Sequence, residues 1–155
     1  MRKMDHSKKA GELFQEGYNC AQAVFLAFED LYDIDHETAL KISSSFGGGM
    51  GRMREVCGAV SGMFMVAGVL YGYDDPKAQT EKADHYKRIQ ELAEEYKKEN
   101  GSIICRELLG LTVKGADNPT PEVRTAEYYK KRPCKELVEM AADILDTYIK
   151  NNATV

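Results

Sequence analysis

Apolar residues recur every three or four positions along most of the chain, a spacing that places them on one face of an α-helix. No segment shows the sustained alternation of apolar and polar residues that a half-buried β-strand requires. The pattern therefore predicts an all-α fold, a single domain over residues 1–155. We expect a bundle of about six to seven helices around a buried, glycine-containing central helix.

Capping residues and helix breakers set the expected boundaries. Asn19 and Asp35 are good N-caps, Gly17 ends the first helix, and proline is favoured at the first helical position. The predicted helices are 7–15, 20–32, 36–45, 56–71, a long polar helix from 75 to about 100, a short helix from 102, and a last helix from about 133 to 150. Residues 47–51 and 110–125 are expected to be irregular. The long helix should bury Ala83, Tyr86, Ile89, Leu92, Ala93 and Tyr96.

The segment 56–73 carries no charged side chain and reaches the length at which a membrane span becomes conceivable. However, four glycines at 58, 62, 68 and 72, together with Ser61, dilute its hydrophobicity. The flanking segments are amphipathic, as helices packed around a buried one would be. We therefore expect a central core helix and no membrane association. Hydrophobic residues on this glycine-bearing helix are also expected to form a homodimer seam.

The charge balance is acidic, with 21 Lys and Arg against 25 Asp and Glu. A nucleic acid is therefore not an expected partner, because no general attraction to phosphate is available. The charged N-terminus lacks the apolar stretch of a secretory signal, which indicates a cytoplasmic protein. In a reducing compartment, cysteines are more often metal-binding, catalytic or simply buried than paired in permanent disulfides.

The four cysteines, Cys20, Cys57, Cys105 and Cys134, contain no Cys-x-x-Cys pair, so their spacing alone is weak support for a metal site. Their positions are more informative, since each falls in the first turn of a predicted helix. A helix N-terminus favours the thiolate, the form that binds metals and attacks disulfides. Nearby arginines at 54, 106 and 132 favour it further. The alternative is that the cysteines fill the core as small hydrophobic residues.

Glycines mark a second feature of the same region. Gly58 and Gly62 lie four residues apart, which leaves bare backbone where a helix or an inorganic group can approach closely. The loop that begins with Gly47, Gly48 and Gly49 matches no nucleotide-binding motif, but its N–H groups can bind an anion or cluster sulfurs. The three histidines lack metal-ligand spacing. Only His85 is expected to approach the core.

Three segments and two single cysteines together resemble a known family. The segments are 17–23 (GYNCAQA), 46–51 (FGGGMG) and 57–62 (CGAVSG), followed by Cys105 and Cys134. They are similar to the C_GCAxxG_C_C family of redox-active proteins, and the resemblance covers nearly the whole chain. The resemblance assigns the family's four cysteines to Cys20, Cys57, Cys105 and Cys134, and its Cys-Gly-Ala-x-x-Gly core to Gly58, Ala59 and Gly62.

The resemblance implies redox-active cysteines and a metal or iron–sulfur site. It is compatible both with an oxidoreductase and with an electron-transfer protein. Our leading hypothesis is an iron–sulfur cluster bound by the four cysteines, with glycine N–H groups nearby, that exchanges electrons with a redox partner protein. A thiol–disulfide oxidoreductase or redox sensor without a cofactor is the second hypothesis. A structural zinc site with four cysteine ligands, used for protein interaction, is the third.

Overall fold

The fold is known from a computed structural model, which describes residues 5–111 and 115–152. The all-α prediction is confirmed, and the described part of the chain contains no strand beyond one isolated β-bridge. The helices are α1 (His6–Gln15), α2 (Cys20–Ala27), α3 (His36–Ser44), α4 (Gly47–Met50), α5 (Gly58–Tyr71), α6 (Gln79–Asn100), α7 (Cys105–Leu108), α8 (Ala126–Lys131) and α9 (Cys134–Asn151), with a 3-10 turn at Glu29–Leu31.

The first three helices begin where capping side chains satisfy their free N–H groups. The Asp5 carboxylate accepts from the Lys8 amide, and the Asp35 carboxylate accepts from the Thr38 amide. Asn19 forms a reciprocal capping box with Gln22 at the start of α2. The predicted caps at Asn19 and Asp35 are therefore confirmed, and the first of them fixes where Cys20 lies.

The uncharged helix α5 lies at the centre of the bundle. It packs against α2 and α9, and α1 closes the other side by packing on the same two helices. The side chains of Val60, Met63 and Val66 are fully buried. No helix in the described ranges is long and apolar enough to cross a membrane. The uncharged segment of the sequence is thus a core helix, as its glycine content predicted.

Several sequence-based boundaries differ from the structure. The second helix ends at Ala27, where the chain continues as the 3-10 turn. The helix α8 was not predicted and lies just after the segment expected to be irregular. The long helix begins at Gln79 instead of 75, and it buries Leu92 and Tyr96. The predicted burial of Ala83 and Tyr86 is wrong: Ala83 is exposed, and Tyr86 is 53% exposed with its ring against Tyr73 at the surface. Residues 112–114, part of the predicted irregular connection, lie outside the described residues.

Two further expectations concern the glycine segment and the histidines. Gly48 and Gly49 have φ of 66° and 69°, so α4 is a left-handed turn rather than a regular helix, which agrees with the predicted loop. The expectation that only His85 approaches the core is wrong. His6 is also buried, because it is hydrogen-bonded to Asp30 and Asp146 and stacks on a phenylalanine ring.

Candidate functional site

All four cysteines line one cavity of about 260 Å³ at the N-terminal end of α5. Cys20, Cys105 and Cys134 are the first residues of α2, α7 and α9, and Cys57 immediately precedes α5. Each is a free thiol; Cys20 is half-buried and the other three are buried. Four elements that are distant in the sequence thus deliver one cysteine each to the same cavity. We call it the cysteine cavity.

Backbone hydrogen bonds hold two of these cysteines side by side. The Cys57 amide donates to the Ile103 carbonyl at 2.8 Å, and the Cys105 amide donates to the Glu55 carbonyl at 2.6 Å. These bonds flank the isolated antiparallel bridge that joins the two segments. After α5 and α6, the chain therefore comes back beside the segment that precedes α5. This pairing places Cys57 and Cys105 next to each other at the cavity.

Cys20 reaches the cavity because α2 and α5 cross closely. Gly58 makes this possible, since a β-carbon at this position would lie 3.0 Å from the Cys20 β-carbon and 2.9 Å from the Phe46 carbonyl oxygen. Such distances are shorter than normal van der Waals contact. A glycine at position 58 is therefore required for the observed distance between α5 and Cys20.

Cys20 and Cys134 influence each other's ionisation. Interaction with the Cys20 thiol, together with the nearby charge of Arg132 and Arg124, lowers the pKa of Cys134 despite its burial. The same interaction and burial raise the pKa of Cys20 well above its usual value. Cys134 is consequently the thiol of this pair that ionises first.

Cys105 faces a buried cation. Nη1 of Arg54 lies 3.6 Å from the Cys105 sulfur, while Nε and Nη2 of the same guanidinium donate to Asp117. Arg54 is only 3% exposed and has a left-handed φ of 61°, a conformation that costs a non-glycine residue roughly 1–2 kcal/mol. Burial raises the pKa of Cys105, and Arg54 offsets part of that rise.

Cys57 is buried and contacts a tyrosine of α6. The Tyr96 hydroxyl is 3.6 Å from the Cys57 sulfur, and the Tyr96 side chain is fully buried. Burial raises the pKa of Cys57 to about 11, although the hydrogen bond from Tyr96 acts in the opposite direction. The expectation that helix starts and arginines favour the thiolate at every cysteine is therefore wrong for three of them. Burial is the largest effect on the pKa of Cys57 and Cys105, whereas at Cys20 the interaction with Cys134 is larger than burial.

The cavity wall is cationic although the whole chain is acidic. Among the residues that the structure describes, the charged side chains lining the cavity are four arginines and one glutamate: Arg52, Arg54, Arg124, Arg132 and Glu122. Glu122 pairs with Arg132, and Asp117 pairs with both Arg52 and Arg54. The wall thus retains an excess of about two positive charges while the thiols are protonated.

The segment 115–125 covers one side of the cavity with Pro119 and Pro121. It is attached to the bundle mainly through charged groups. Arg124 donates to the carbonyl oxygens of Phe14 and Tyr18 at 2.9 and 3.0 Å, and its guanidinium stacks over the Phe14 ring. This part of the sequence gave no chemical signal, yet it supplies part of the cavity wall.

The glycines named by the sequence fall into two groups. Gly47, Gly48, Gly49 and Gly58 line the cysteine cavity. A β-carbon at Gly49 would lie 2.6 Å from the Cys105 β-carbon, so the turn packs directly on that cysteine. Ala59 and Gly62 lie away from the cavity: Ala59 is buried in the core, and Gly62 faces Ala21 and Val24 of α2.

Four site residues were missed by the sequence analysis: Arg52, Arg124, Asp117 and Tyr96. Arg54 and Arg132 were noticed only because they are close to cysteines in the sequence, and both line the cavity. Arg106, the third such arginine, instead donates to the Met53 carbonyl and pairs with Glu55. Arg52 lies five residues before Cys57, but no local pattern could identify Tyr96, Asp117 and Arg124, because the fold brings them to the site from other segments.

The sulfur atoms share a cavity without forming a site for a single ion. Within residues 5–111 and 115–152, no group of three or more His, Cys, Asp or Glu side chains is placed to hold one metal ion. A tetrahedral zinc with Zn–S bonds of about 2.3 Å needs its sulfurs within about 4 Å of one another. A cluster places iron and sulfide between the cysteines, so its ligands lie further apart.

Comparison with known proteins gives one match. The family model described as "Putative redox-active protein (C_GCAxxG_C_C)" matches residues 18–148, a range that contains all four cysteines and the glycines of the cavity. Comparisons with curated proteins and with solved structures find no match. This protein therefore belongs to the C_GCAxxG_C_C family of redox-active proteins.

Proposed function

We propose that this protein is an electron-transfer protein whose four cysteines hold an iron–sulfur cluster in the cysteine cavity. The observation that carries the proposal is the convergence of Cys20, Cys57, Cys105 and Cys134 on one cavity from four separate elements. Four thiolates are the usual ligand set of [2Fe–2S] and [4Fe–4S] clusters. When bound, such a cluster supplies reversible one-electron chemistry.

The charge of the cavity wall supports an anionic occupant. A cluster with four cysteine thiolates carries about two negative charges in its common oxidation state, because the positive charge of the core only partly offsets the thiolates. Arg52, Arg54, Arg124 and Arg132 outnumber their carboxylate partners by about the same amount. The wall would therefore neutralise the cluster and lower the free-energy cost of ionising buried thiols.

The size of the cavity also fits a small inorganic group. At about 260 Å³ it equals the volume of roughly nine water molecules at liquid density. That volume exceeds the space a single ion needs and lies slightly below the roughly 300–1,000 Å³ of ordinary small-molecule pockets. Leu108, Leu109 and Leu137 line it as well, so apolar side chains limit the access of water to the centre.

Iron and acid-labile sulfide measured on protein purified or reconstituted without oxygen test the proposal. We expect about two or four irons per chain with matching sulfide and a broad visible absorption. Alanine at any one of the four cysteines should remove most of this absorption. Ser45→Ala, an exposed position beside the glycine turn, is the control and should retain it.

Three outcomes would contradict the cluster. Reconstituted protein that binds no sulfide would exclude it, and so would a cysteine variant that keeps the full absorption. Stoichiometric zinc in a colourless protein that unfolds with a chelator would favour the structural zinc site instead.

A second function, thiol–disulfide exchange, is supported by Cys20 and Cys134, which line the same cavity. Interaction between the two thiols lowers the pKa of Cys134, as an attacking thiol needs. The Cys134 thiolate would attack a substrate disulfide, form a mixed disulfide and release one substrate thiolate. Cys20, after losing its proton, would then attack the Cys134 sulfur, release the second substrate thiolate and form a Cys20–Cys134 disulfide. The substrate gains two electrons and the protein loses two.

The two functions require different cysteines. In thiol–disulfide exchange, Cys57→Ala and Cys105→Ala should keep an oxidisable pair, whereas Cys20→Ala and Cys134→Ala should abolish it. In the cluster protein all four substitutions have the same effect. Thiol counting by mass spectrometry after graded oxidation measures this difference, and a thiol count unaffected by oxidant would exclude the exchange function.

A further inference from the structure

The hydroxyl group of Tyr96 is an unusual feature of the core. Tyr96 belongs to α6, which supplies no residue to the lining of the cysteine cavity among the described residues. Its side chain is fully buried, and its Oη lies 3.6 Å from the Cys57 sulfur. Tyr96 therefore reaches the centre from the core, behind Cys57, rather than through the cavity.

Packing alone does not explain this hydroxyl. A phenylalanine would fill the same space without burying a polar group, which costs roughly 1–3 kcal/mol when its hydrogen bond is poor. The sulfur of a neutral thiol is a weak acceptor, whereas a thiolate sulfur accepts a strong, charge-assisted hydrogen bond. The O–H of Tyr96 is thus best satisfied when Cys57 carries negative charge, free or bound to a metal centre.

We propose that Tyr96 is a positioning residue of the redox centre, which donates its O–H to the Cys57 sulfur and raises the reduction potential of the centre. The proposal rests on the function proposed above. Reduction adds negative charge to a cluster and its sulfur ligands. A donor aimed at one of those sulfurs stabilises the reduced form more than the oxidised form, so the potential rises.

The fold holds the Tyr96 ring in place. It lies in the second half of α6, where Leu92 is buried with it.

Tyr96→Phe tests the proposal, because it removes one oxygen and keeps the ring. Tyr86→Phe is the matched control: it lies on the same helix, loses the same atom, and its hydroxyl contacts Tyr73 at the surface rather than a cysteine. With equal iron and sulfide contents, redox titration should give Tyr96→Phe a more negative midpoint potential than the wild type. Tyr86→Phe should titrate like the wild type. An unchanged potential in Tyr96→Phe would overturn the proposal.

A second measurement uses the reduced, metal-free protein and does not depend on the cluster. The rate of Cys57 alkylation at pH 8, followed by mass spectrometry, should be about three- to tenfold lower in Tyr96→Phe, since the thiolate loses its donor. A purely structural role predicts the opposite, because loosened packing would expose Cys57 and increase the rate. An equal or higher rate would therefore contradict the proposal, even if the variant bound no cluster. If the wild type binds no iron, the iron–sulfur cluster is refuted, but the alkylation result still tests the hydrogen bond from Tyr96 to Cys57.

Discussion

The backbone of Gly58 lies against Cys20, so closely that a β-carbon at position 58 would be 3.0 Å from the Cys20 β-carbon. The same atom would be 2.9 Å from the Phe46 carbonyl oxygen. One glycine thus sets how near the start of α5 comes to the start of α2. It couples helix packing to the position of a cysteine in the cavity.

Gly58→Ala should therefore destabilise the protein and disturb the centre together. We expect a loss of about 1–3 kcal/mol in the free energy of unfolding, because the contacts at this position are mainly to backbone and cannot move aside cheaply. Urea unfolding measures this loss. Gly68→Ala is the control: it lies in the same helix with no atom within 4 Å of the added carbon, and should gain about 0.5–1 kcal/mol.

Gly49→Ala tests the contact between the glycine turn and Cys105. Its β-carbon would lie 2.6 Å from the Cys105 β-carbon, and the residue has a φ of 69°. We expect a loss of about 3 kcal/mol or more from the clash and the left-handed backbone combined. Gly51→Ala shares the left-handed φ but has only one neighbouring atom, at 3.8 Å, so about 1–2 kcal/mol is expected there. The added carbon would also lie 2.8 Å from the Arg54 α-carbon, so equal losses at the two positions would mean that close packing of the turn on Cys105 and Arg54 is unimportant.

Arg54→Gln should change the reactivity of Cys105. The substitution removes the cation that offsets part of the burial effect on this thiol, so the pKa of Cys105 should rise further. In the reduced, metal-free protein we expect Cys105 to be alkylated several-fold more slowly at pH 8. Arg54→Lys, which keeps the charge but not the planar donor geometry, should recover part of the rate. If Arg54→Gln reacts at the wild-type rate, the 3.6 Å contact has no electrostatic effect.

His6 should make stability depend on pH. Burial disfavours its charged form, but hydrogen bonds to Asp146 and Asp30 outweigh burial and raise the pKa above 6.5. Because the folded-state pKa is the higher one, the stabilisation is complete below about pH 6.5 and is lost as pH rises through the folded-state pKa. Urea unfolding between pH 5.5 and 8 should show this decline.

Substitution of His6 should remove that dependence. His6→Gln is expected to cost about 2 kcal/mol near pH 6, where the charged hydrogen bonds are intact, and less at pH 8. His36→Gln is the control, since His36 forms an exposed pair with Glu29 that contributes at most about 1 kcal/mol. A slope with pH that persists in His6→Gln would assign the effect to other groups.

Local patterns in the sequence were sufficient for most helices and for the cysteines at their starts. Asn19 and Asp35 act as caps, and the uncharged segment is the core helix, because these features depend on nearby residues and on burial. The exposed Tyr86 shows what apolar spacing cannot predict. Its position on α6 matches the buried stripe, but the spacing does not reveal that its ring lies against Tyr73 at the surface.

The charged part of the site could not be predicted from spacing. Asp117 and Arg124 come from a segment with no regular pattern. Arg124 lines the cavity and Asp117 binds Arg54 of its wall only because the chain folds back over α1 and the glycine turn. His6 was missed for a related reason. A histidine beside the N-terminus has no apolar pattern around it, and its two aspartate partners lie 24 and 140 positions away.

The attachment of the segment 115–125 has a consequence for how exposed the centre is. This cover depends largely on ion pairs and arginine hydrogen bonds, and its apolar Val123 is 81% exposed instead of anchoring it. Dissolved salt screens such pairs, with a Debye length of about 10 Å at 0.1 M and about 3 Å at 1 M. Ionic strength should therefore control how readily oxygen, chelators and redox partners reach the four sulfurs, even when the helical core is unchanged.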